Sequence, residues 1–486
     1  MKNRKKTIAW RSLLAVVIIA ALGWAGEFIW NGPHGSTHLA VWPYVQPGVR
    51  ATILDGFDSS RLVWIARGRV AAFTVDYGAS PAYGSAAQPE TVELPETHHA
   101  HRYLATLTNL PADARIYYRV RLGEKVLAEN NFAARKSATN RIHFIAVGDT
   151  VHGRPEERKI AWQAGRQQPD FFLHLGDIAY FTGSVHDYTR NFWPCYNDPG
   201  HHSPSSGSPL MGSVPLYVVL GNHDLQYGLD LVKKPDGLAA FYYFFSSGNG
   251  PGELSRSLPI SGRPEQVAAF RRAAGDAFPG LRFYSFENGP AHFTCLDANA
   301  YTDFKDPKLI EWIRNDLLQA RAPWKFVVSH EPVFHTAIRE YDAQELRLLS
   351  PLFEQCGVDV VFSGHNHNYQ RTLPMTFEPS VQTNSRHPGW VNGRFTLDGK
   401  FDGATNTHAH GIIHVVSGGG GARLFDAALN NHPVLADPDP ANWVPYTVRL
   451  ISDRHSFSDV TLTPHQFNLR QIDDHGSEID RFQIEK

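Results

Sequence analysis

The stretch VDVVFSGHNHNYQR, residues 358–371, runs from an apolar segment straight into two histidines one position apart. VDVVF reads as a buried strand, and His365 and His367 follow where it ends. In extended chain, i and i+2 side chains share one side. The pair therefore either grips a metal or is the polarity that collects where strands meet loops. Five further segments have the same form: IHFIAVGD (142–149), DFFLHLGD (170–177), VPLYVVLGNHD (214–224), WKFVVSHEP (324–332) and GIIHVVSGGGG (411–421). Each carries an apolar run into Gly, His, Asp or Asn. Between them lie helix-like stretches, PKLIEWIRNDLLQARA (307–322) and YDAQELRLLSPLFEQCG (341–357). In the first, Leu309, Ile313, Leu317 and Ala320 recur at helical spacing. This is the texture of a layered α/β domain whose loops gather at the carboxyl ends of its strands.

Strands that end on one edge bring their terminal polar residues into one crevice. Here these are Asp149, Asp177, Tyr180, Asn222, His223, His330, His365 and His367. Without His223, seven candidate ligands remain, all carboxylate, amide, phenol or imidazole and none a thiol. That set suits Fe, Mn or Zn rather than Cu(I) or an iron–sulfur cluster. Seven exceed the needs of one four-ligand site; two cations sharing one carboxylate would use them all. GGGG at 418–421 lacks the G-x-x-x-x-G-K spacing of a P-loop and reads as a flexible loop.

The rest of the chain bounds the setting. Its 486 residues carry a net charge of −2, so no broad basic field recruits nucleic acid. Lys2, Arg4, Lys5, Lys6 and Arg11 precede an apolar run from Leu13 to Ala25. Residues 1–26 thus read as a signal peptide, cleaved after Ala25, or an outward-facing signal anchor, and the protein is expected to be exported. Cys195, Cys295 and Cys356 form no C-x-x-C pair; they signal neither a zinc site nor a disulfide framework, although export would permit one disulfide. Residues 35–138 are all-β in pattern, with RLVWIA, RVAAFTVDYG, RYLATLTNL and RIYYRVRLG as strands. ARKSATN (134–140) reads as a linker, residues 140–486 as the catalytic domain, and the tail as its terminal β-meander. The inserts 181–213 and 225–275 show no decisive period.

Asp149, GDIAY (176–180), GNHD (221–224), the V-x-x-H ending at His330 and GHNH (364–367) occur in the order found in calcineurin-like metallophosphoesterases. The tyrosine three residues after Asp177 makes the set resemble the purple acid phosphatases in particular. LTNLPADARIYYRVRLG (107–123) likewise resembles part of a fibronectin type III domain. The resemblance implies a fibronectin III-like β-sandwich followed by a metallophosphoesterase domain of layered β-sheets flanked by helices. It implies Fe(III) held by Asp149, Tyr180 and His367, with Fe, Zn or Mn held by Asn222, His330 and His365, and Asp177 bridging. It implies hydrolysis of small phosphate monoesters by a metal-activated hydroxide. His223 would face the phosphate or leaving group, with Asp224 tuning it, and His152 and His335 are further substrate-side candidates. Val151 departs from the pattern, because that position usually holds Gly or His. His174 is expected to be interior, Tyr369 and Arg371 to brace the His365–His367 loop, and His408, His410 and His414 to lie in a solvated loop. A phosphodiesterase or nucleotidase on the same scaffold, and a non-catalytic phosphate- or glycan-binding protein, are the competing readings.

Overall fold

The computed structural model describes residues 37–486, apart from 54, 98, 253, 255–259, 337–342, 381–388 and 426–444. The leader expected at 1–26 lies outside the described residues. Among the described residues, no helix is long and apolar enough to cross a membrane.

Eight strands come first: β1 (His38–Pro47), β2 (Phe57–Arg67), β3 (Phe73–Gly78), β4 (Ser85–Ala87), β5 (Glu90–Glu93), β6 (Ala100–Pro111), β7 (Arg115–Leu122) and β8 (Lys125–Ala133). They form two four-stranded antiparallel sheets, β1-β2-β6-β5 and β4-β3-β7-β8. The period of two in RIYYRVRL turns Ile116, Tyr118 and Val120 inward. There they share one core with Trp64, Phe73, Tyr103 and Phe132. The expected linker is pinned rather than loose. Arg135 is buried, pairs with Asp58, and donates to the carbonyls of Ala51 (2.7 Å) and Glu287 (3.3 Å). A guanidinium placed there needs partners on both sides, and it finds them in both parts of the chain.

The second part is built on two facing sheets. The first holds β9 (Ile142–Val147), β10 (Phe171–His174) and β11 (Leu216–Val218), all parallel. The second sheet contains β12 (Phe283–Asn288), β13 (Ala291–Leu296), β14 (Trp324–Ser329), β15 (Val360–Ser363) and β16 (Tyr369–Thr372). A separate hairpin, β17 (Met375–Pro379) with β18 (Gly393–Leu397), precedes β19 (Ile413–Ser417) and β20 (Thr447–Ile451) of that sheet. Its order is β12-β13-β14-β15-β19-β16-β20, with β13, β14, β15 and β19 parallel. The tail, β21 (Ser456–Leu462), β22 (Gln466–Asp473) and β23 (Glu478–Glu485), is a meander that extends the first sheet through β9. Phe144, Phe171, Phe293, Phe326 and Phe362 fill the space between the sheets. Helix α1 (Pro155–Arg166) covers the outer face of the first sheet, and α2 (Pro307–Gln319) that of the second. In α2, Leu309, Ile313 and Leu317 are the buried stripe, as the spacing requires.

The inserts fold as an aromatic platform between the first sheet and the sandwich. Tyr188, Phe192, Trp193 and Tyr196 pack with Tyr242–Phe245 on short helical turns. Sandwich residues reach across to it: the Tyr44 hydroxyl donates to Tyr243 O (2.8 Å) and Arg102 to Ala273 O (2.6 Å). The three cysteines are free and buried. Two sequence expectations are corrected. His414 lies buried in β19 rather than in a solvated loop, because the strand begins just before it and turns its ring toward Phe334. The GGGG run is a packed passage. A Cβ on Gly418 would lie 2.3 Å from Asn366 O and 2.8 Å from an Asp149 carboxylate oxygen.

On the outer side of the second sheet, Asp316 of α2 accepts from Ser285 Oγ (2.5 Å), Thr294 Oγ1 (2.7 Å) and His292 Nε2 (2.9 Å). Burial lowers the His292 pKa, but Asp316 and then Glu287 outweigh it and bring it up to about 9. A raised folded pKa stabilises fully below the unfolded value, about 6.5, and that contribution is lost as pH rises through 9. Urea midpoints should therefore fall between pH 6.5 and 9.5 by the equivalent of up to about 3 kcal/mol. His292→Gln should remove most of that slope; an unchanged slope in the variant would refute the assignment.

Candidate metal centre

Each site residue follows a parallel strand by one to six residues. Asp149 follows β9, Asp177 and Tyr180 follow β10, Asn222 follows β11, His330 follows β14, and His365 and His367 follow β15. The two sheets end on a common rim, and hydrogen bonds from backbone N–H groups stitch their loops together. Asp149 N donates to Gly176 O (3.1 Å), Tyr180 N to Val151 O (2.9 Å) and His365 N to Asp149 Oδ2 (2.7 Å). Val151 is fully buried and pairs with Ala179. The departure at that position thus packs the loop that carries Tyr180. Asp149, Asp177 and His365 all have left-handed backbones, with φ of 59°, 51° and 68°. For residues other than glycine this costs about 1–3 kcal/mol each, and such strain collects where side chains must be aimed.

The seven residues form two triads. In the first, Tyr180 Oη lies 2.9 Å from Asp149 Oδ1 and 2.9 Å from His367 Nε2, and His367 Nε2 lies 3.4 Å from Asp149 Oδ1. In the second, Asn222 Oδ1 lies 3.0 Å from His365 Nδ1 and 3.2 Å from His330 Nε2, and the two ring nitrogens are 3.2 Å apart. Asp177 sits between them. Its Oδ1 is 3.3 Å from His330 Nε2, and its carboxylate also acts on the Tyr180 hydroxyl. Carboxylate oxygens of Asp149 and Asp177 and a ring nitrogen of His330 all lie within 4.8 Å of one another and could hold a cation.

Second-layer contacts fix which nitrogen each ring presents. His330 Nδ1 donates to Leu175 O (2.7 Å) and His367 Nδ1 to Arg423 O (2.7 Å), so Nε2 of each faces inward. The donor geometry fits metal ions. Ligands about 2.1 Å from one cation stand roughly 3.0–3.4 Å apart, and the spacings inside the two triads, 2.9–3.4 Å, match that to within about 0.1 Å. Two imidazole lone pairs facing each other at such a distance repel unless a cation or proton lies between them. Burial first, then Asp149 and Asp177, pushes the Tyr180 phenol well above its ordinary pKa. A bound cation is what would make it anionic near neutral pH.

The substrate-side candidates divide. The His223 ring lies 4.5 Å from Tyr180 between centroids, and its Nδ1 donates to Phe181 O (2.8 Å), leaving Nε2 to face outward from that bond. His152 packs on the exposed Phe181 at 4.4 Å and on Tyr180 at 5.3 Å. Asp224, expected to tune His223, is engaged elsewhere. It accepts from Ile178 N (3.1 Å), Tyr188 Oη (2.9 Å) and Gly221 N (2.9 Å), and burial followed by Asp177 pushes its pKa up to about 7. Its place is to lock the Asp177 loop to the Asn222 loop. The expected orienting partner of His223 is thus replaced by the Phe181 carbonyl. His335 is buried on the loop after His330, where its carbonyl accepts from Tyr446 Oη (2.9 Å). His174 is interior and shares a hydrogen bond with Thr150 Oγ1 (2.9 Å). Arg371 and Tyr369 brace the histidine loop through Asp480 (2.9 and 2.8 Å). Sequence reasoning missed Arg423 and Phe425, which close over His367, with Phe425 stacked at 4.7 Å. Their signal was the glycine run just before them, read there as flexible.

Residues 142–369 match the family model for calcineurin-like phosphoesterases. Those residues form a calcineurin-like phosphoesterase domain, and the chain as a whole is similar to purple acid phosphatases. It is 25% identical over 339 residues to purple acid phosphatase 18 of Arabidopsis thaliana, covering 66% of this chain and 64% of that one. It is 22% identical over 278 residues to purple acid phosphatase 1 of Ipomoea batatas, covering 55% and 51%. The fold is also similar to that of a purple acid phosphatase from yellow lupin (Lupinus luteus) seeds. There the TM-score is 0.63 at 17% identity, over 93% of this chain and 74% of that one. The chain spans about half to two thirds of the length of the curated relatives it matches.

Proposed function

We propose that this protein hydrolyses small phosphate monoesters at a dinuclear metal centre. The observation that supports it is two triads of nitrogen and oxygen donors with one carboxylate, Asp177, between them. Asp149, Tyr180 and His367 would hold Fe(III), and Asn222, His330 and His365 would hold Fe, Zn or Mn. A metal pair supplies Lewis acidity toward phosphoryl oxygens and lowers the pKa of water. The chain's own residues do the rest. His223, fixed through Nδ1 by the Phe181 carbonyl, turns Nε2 to the phosphoryl group or its leaving oxygen. His152 and Phe181 form the rim beside it. The leader at 1–26 supports export, and the two-sheet β unit before residue 138 is read as fibronectin III-like.

The test compares p-nitrophenyl phosphate with bis(p-nitrophenyl) phosphate, with metal-loaded and chelator-stripped protein. The monoester should be turned over at least ~10-fold faster per KM, and only by loaded protein. Faster diester cleavage would make the protein a phosphodiesterase. Phosphate binding without turnover of either ester would make it a binding protein.

A further inference from the structure

Arg61, in β2, lines a cavity of about 350 Å³ between the sandwich and the aromatic platform. The residue is only 6% exposed. Its Nη1 donates to Pro47 O (3.1 Å) and Ser246 O (2.8 Å), and its guanidinium lies 5.3 Å from the centre of the Phe245 ring. Nη1 is thus fully used. Nε and Nη2 donate to nothing among the described residues, yet neither is sealed from open space. The cavity is the space that Arg61 lines, so they open on it.

These two N–H groups share one edge of the guanidinium, the edge that takes both oxygens of a carboxylate side-on. Two other buried arginines show its use. Arg371 gives Nε to Asp480 Oδ2 (2.9 Å) and Nη2 to Oδ1 (3.2 Å), and Arg135 turns Nε to Asp58 Oδ1 (2.9 Å). Arg61 forms no ion pair among the described residues. Nor does Arg102, which is also buried and lies 4.9 Å from the same Phe245 ring. A guanidinium keeps its proton, and a buried charge without a counter-ion is costly. Burial accordingly pulls the Arg61 pKa below its ordinary value.

The wall decides between anions. Asp276 is its other ionisable side chain among the described residues, and it disfavours a dianion. Ser246 Oγ donates to Gly280 O (2.7 Å) and Ser247 Oγ to Ser285 O (2.7 Å), so neither hydroxyl has a proton to spare. Two N–H groups match the two oxygens of a carboxylate. The third terminal oxygen of a phosphate would find no side-chain donor. Val49, Ala277 and Pro279 give the wall an apolar part, which suits a short alkyl chain.

We propose that this cavity is a binding site for small monocarboxylates, whose carboxylate takes the free Nε–Nη2 edge of Arg61. It shares no residue with the metal centre and does not rest on the hydrolytic reading.

Calorimetry on the full-length, metal-loaded protein measures binding of butyrate, butyramide and propylphosphonate to wild type, Arg61→Lys and Gly280→Val. Lysine keeps the charge and removes the edge. A Cβ at Gly280 would lie 3.6 Å from Ser246 Oγ and 3.7 Å from Gly248 Cα, so valine grows into the cavity and leaves Arg61 in place. Binding at the metals is common to all three proteins, and far-UV circular dichroism checks their folding. Wild type should bind butyrate with a Kd of about 1–10 mM, and butyramide at least ~10-fold more weakly. Each variant should weaken butyrate binding at least ~10-fold. Asp276→Asn should tighten it by about threefold. Equal butyrate affinity in wild type and both variants overturns the site. No binding by wild type overturns it too, including the case where binding appears only in Asp276→Asn, because Asp276 then fills the edge itself. An Arg61-dependent preference for propylphosphonate overturns the carboxylate assignment.

Discussion

Asp177→Asn should leave the fold in place while lowering both metal content and phosphate-ester turnover, the latter by at least about a thousandfold. The amide keeps the shape of the carboxylate and still accepts from His223 N, which now donates to Asp177 Oδ1 at 2.7 Å. What is lost is the negative charge that lies against His330 on one side and Tyr180 on the other. One substitution should thus weaken both metal positions, whereas Asn222→Ala or His367→Ala should chiefly weaken one. Metal content by elemental analysis, with far-UV circular dichroism as the folding control, separates the cases. Loss of a single metal from Asp177→Asn would show that the carboxylate belongs to one position only.

Gly221→Ala should also lower turnover, by about a hundredfold, though it adds one carbon and touches no ligand chemistry. A Cβ built at Gly221 falls 2.2 Å from Asp177 Oδ1 and 2.3 Å from Asp177 N. Backbone and carboxylate must both shift. Overpacking of this kind costs about 1–3 kcal/mol of stability. A displacement near 1 Å at the reacting centre costs on the order of a hundredfold in rate. The same residue donates its N–H to Asp224 Oδ2 (2.9 Å), so the loop cannot move without disturbing that lock. Urea denaturation and turnover of p-nitrophenyl phosphate would register the two effects. A variant with wild-type values for both would mean that the Asp177 and Asn222 loops are far more compliant than their packing implies.

The rim of the site was legible because every ligand candidate closely follows an apolar run, and parallel strands ending on one edge converge by geometry. Nothing local had to be guessed for Asp149, Asp177 or His330. The helix over 307–319 was legible for a similar reason, since Leu309, Ile313 and Leu317 keep one period. The inserts were not. Tyr188, Phe192, Trp193 and Tyr196 pack on turns too short to show a period, and their partners, Tyr242–Phe245, lie some fifty residues on. Asp224 was misread because adjacency to His223 suggested a pair, while the carboxylate turns back to Ile178, Gly221 and Tyr188. Gly418 looked flexible because composition cannot reveal that Asn366 and Asp149 crowd it.

Metal analysis of purified, reconstituted protein together with its visible spectrum tests the central claim most directly. Two metals per chain are predicted, with a broad visible band from the Tyr180 phenolate on ferric iron that Tyr180→Phe abolishes. One metal per chain or none, after loading with iron and zinc or manganese, would contradict it.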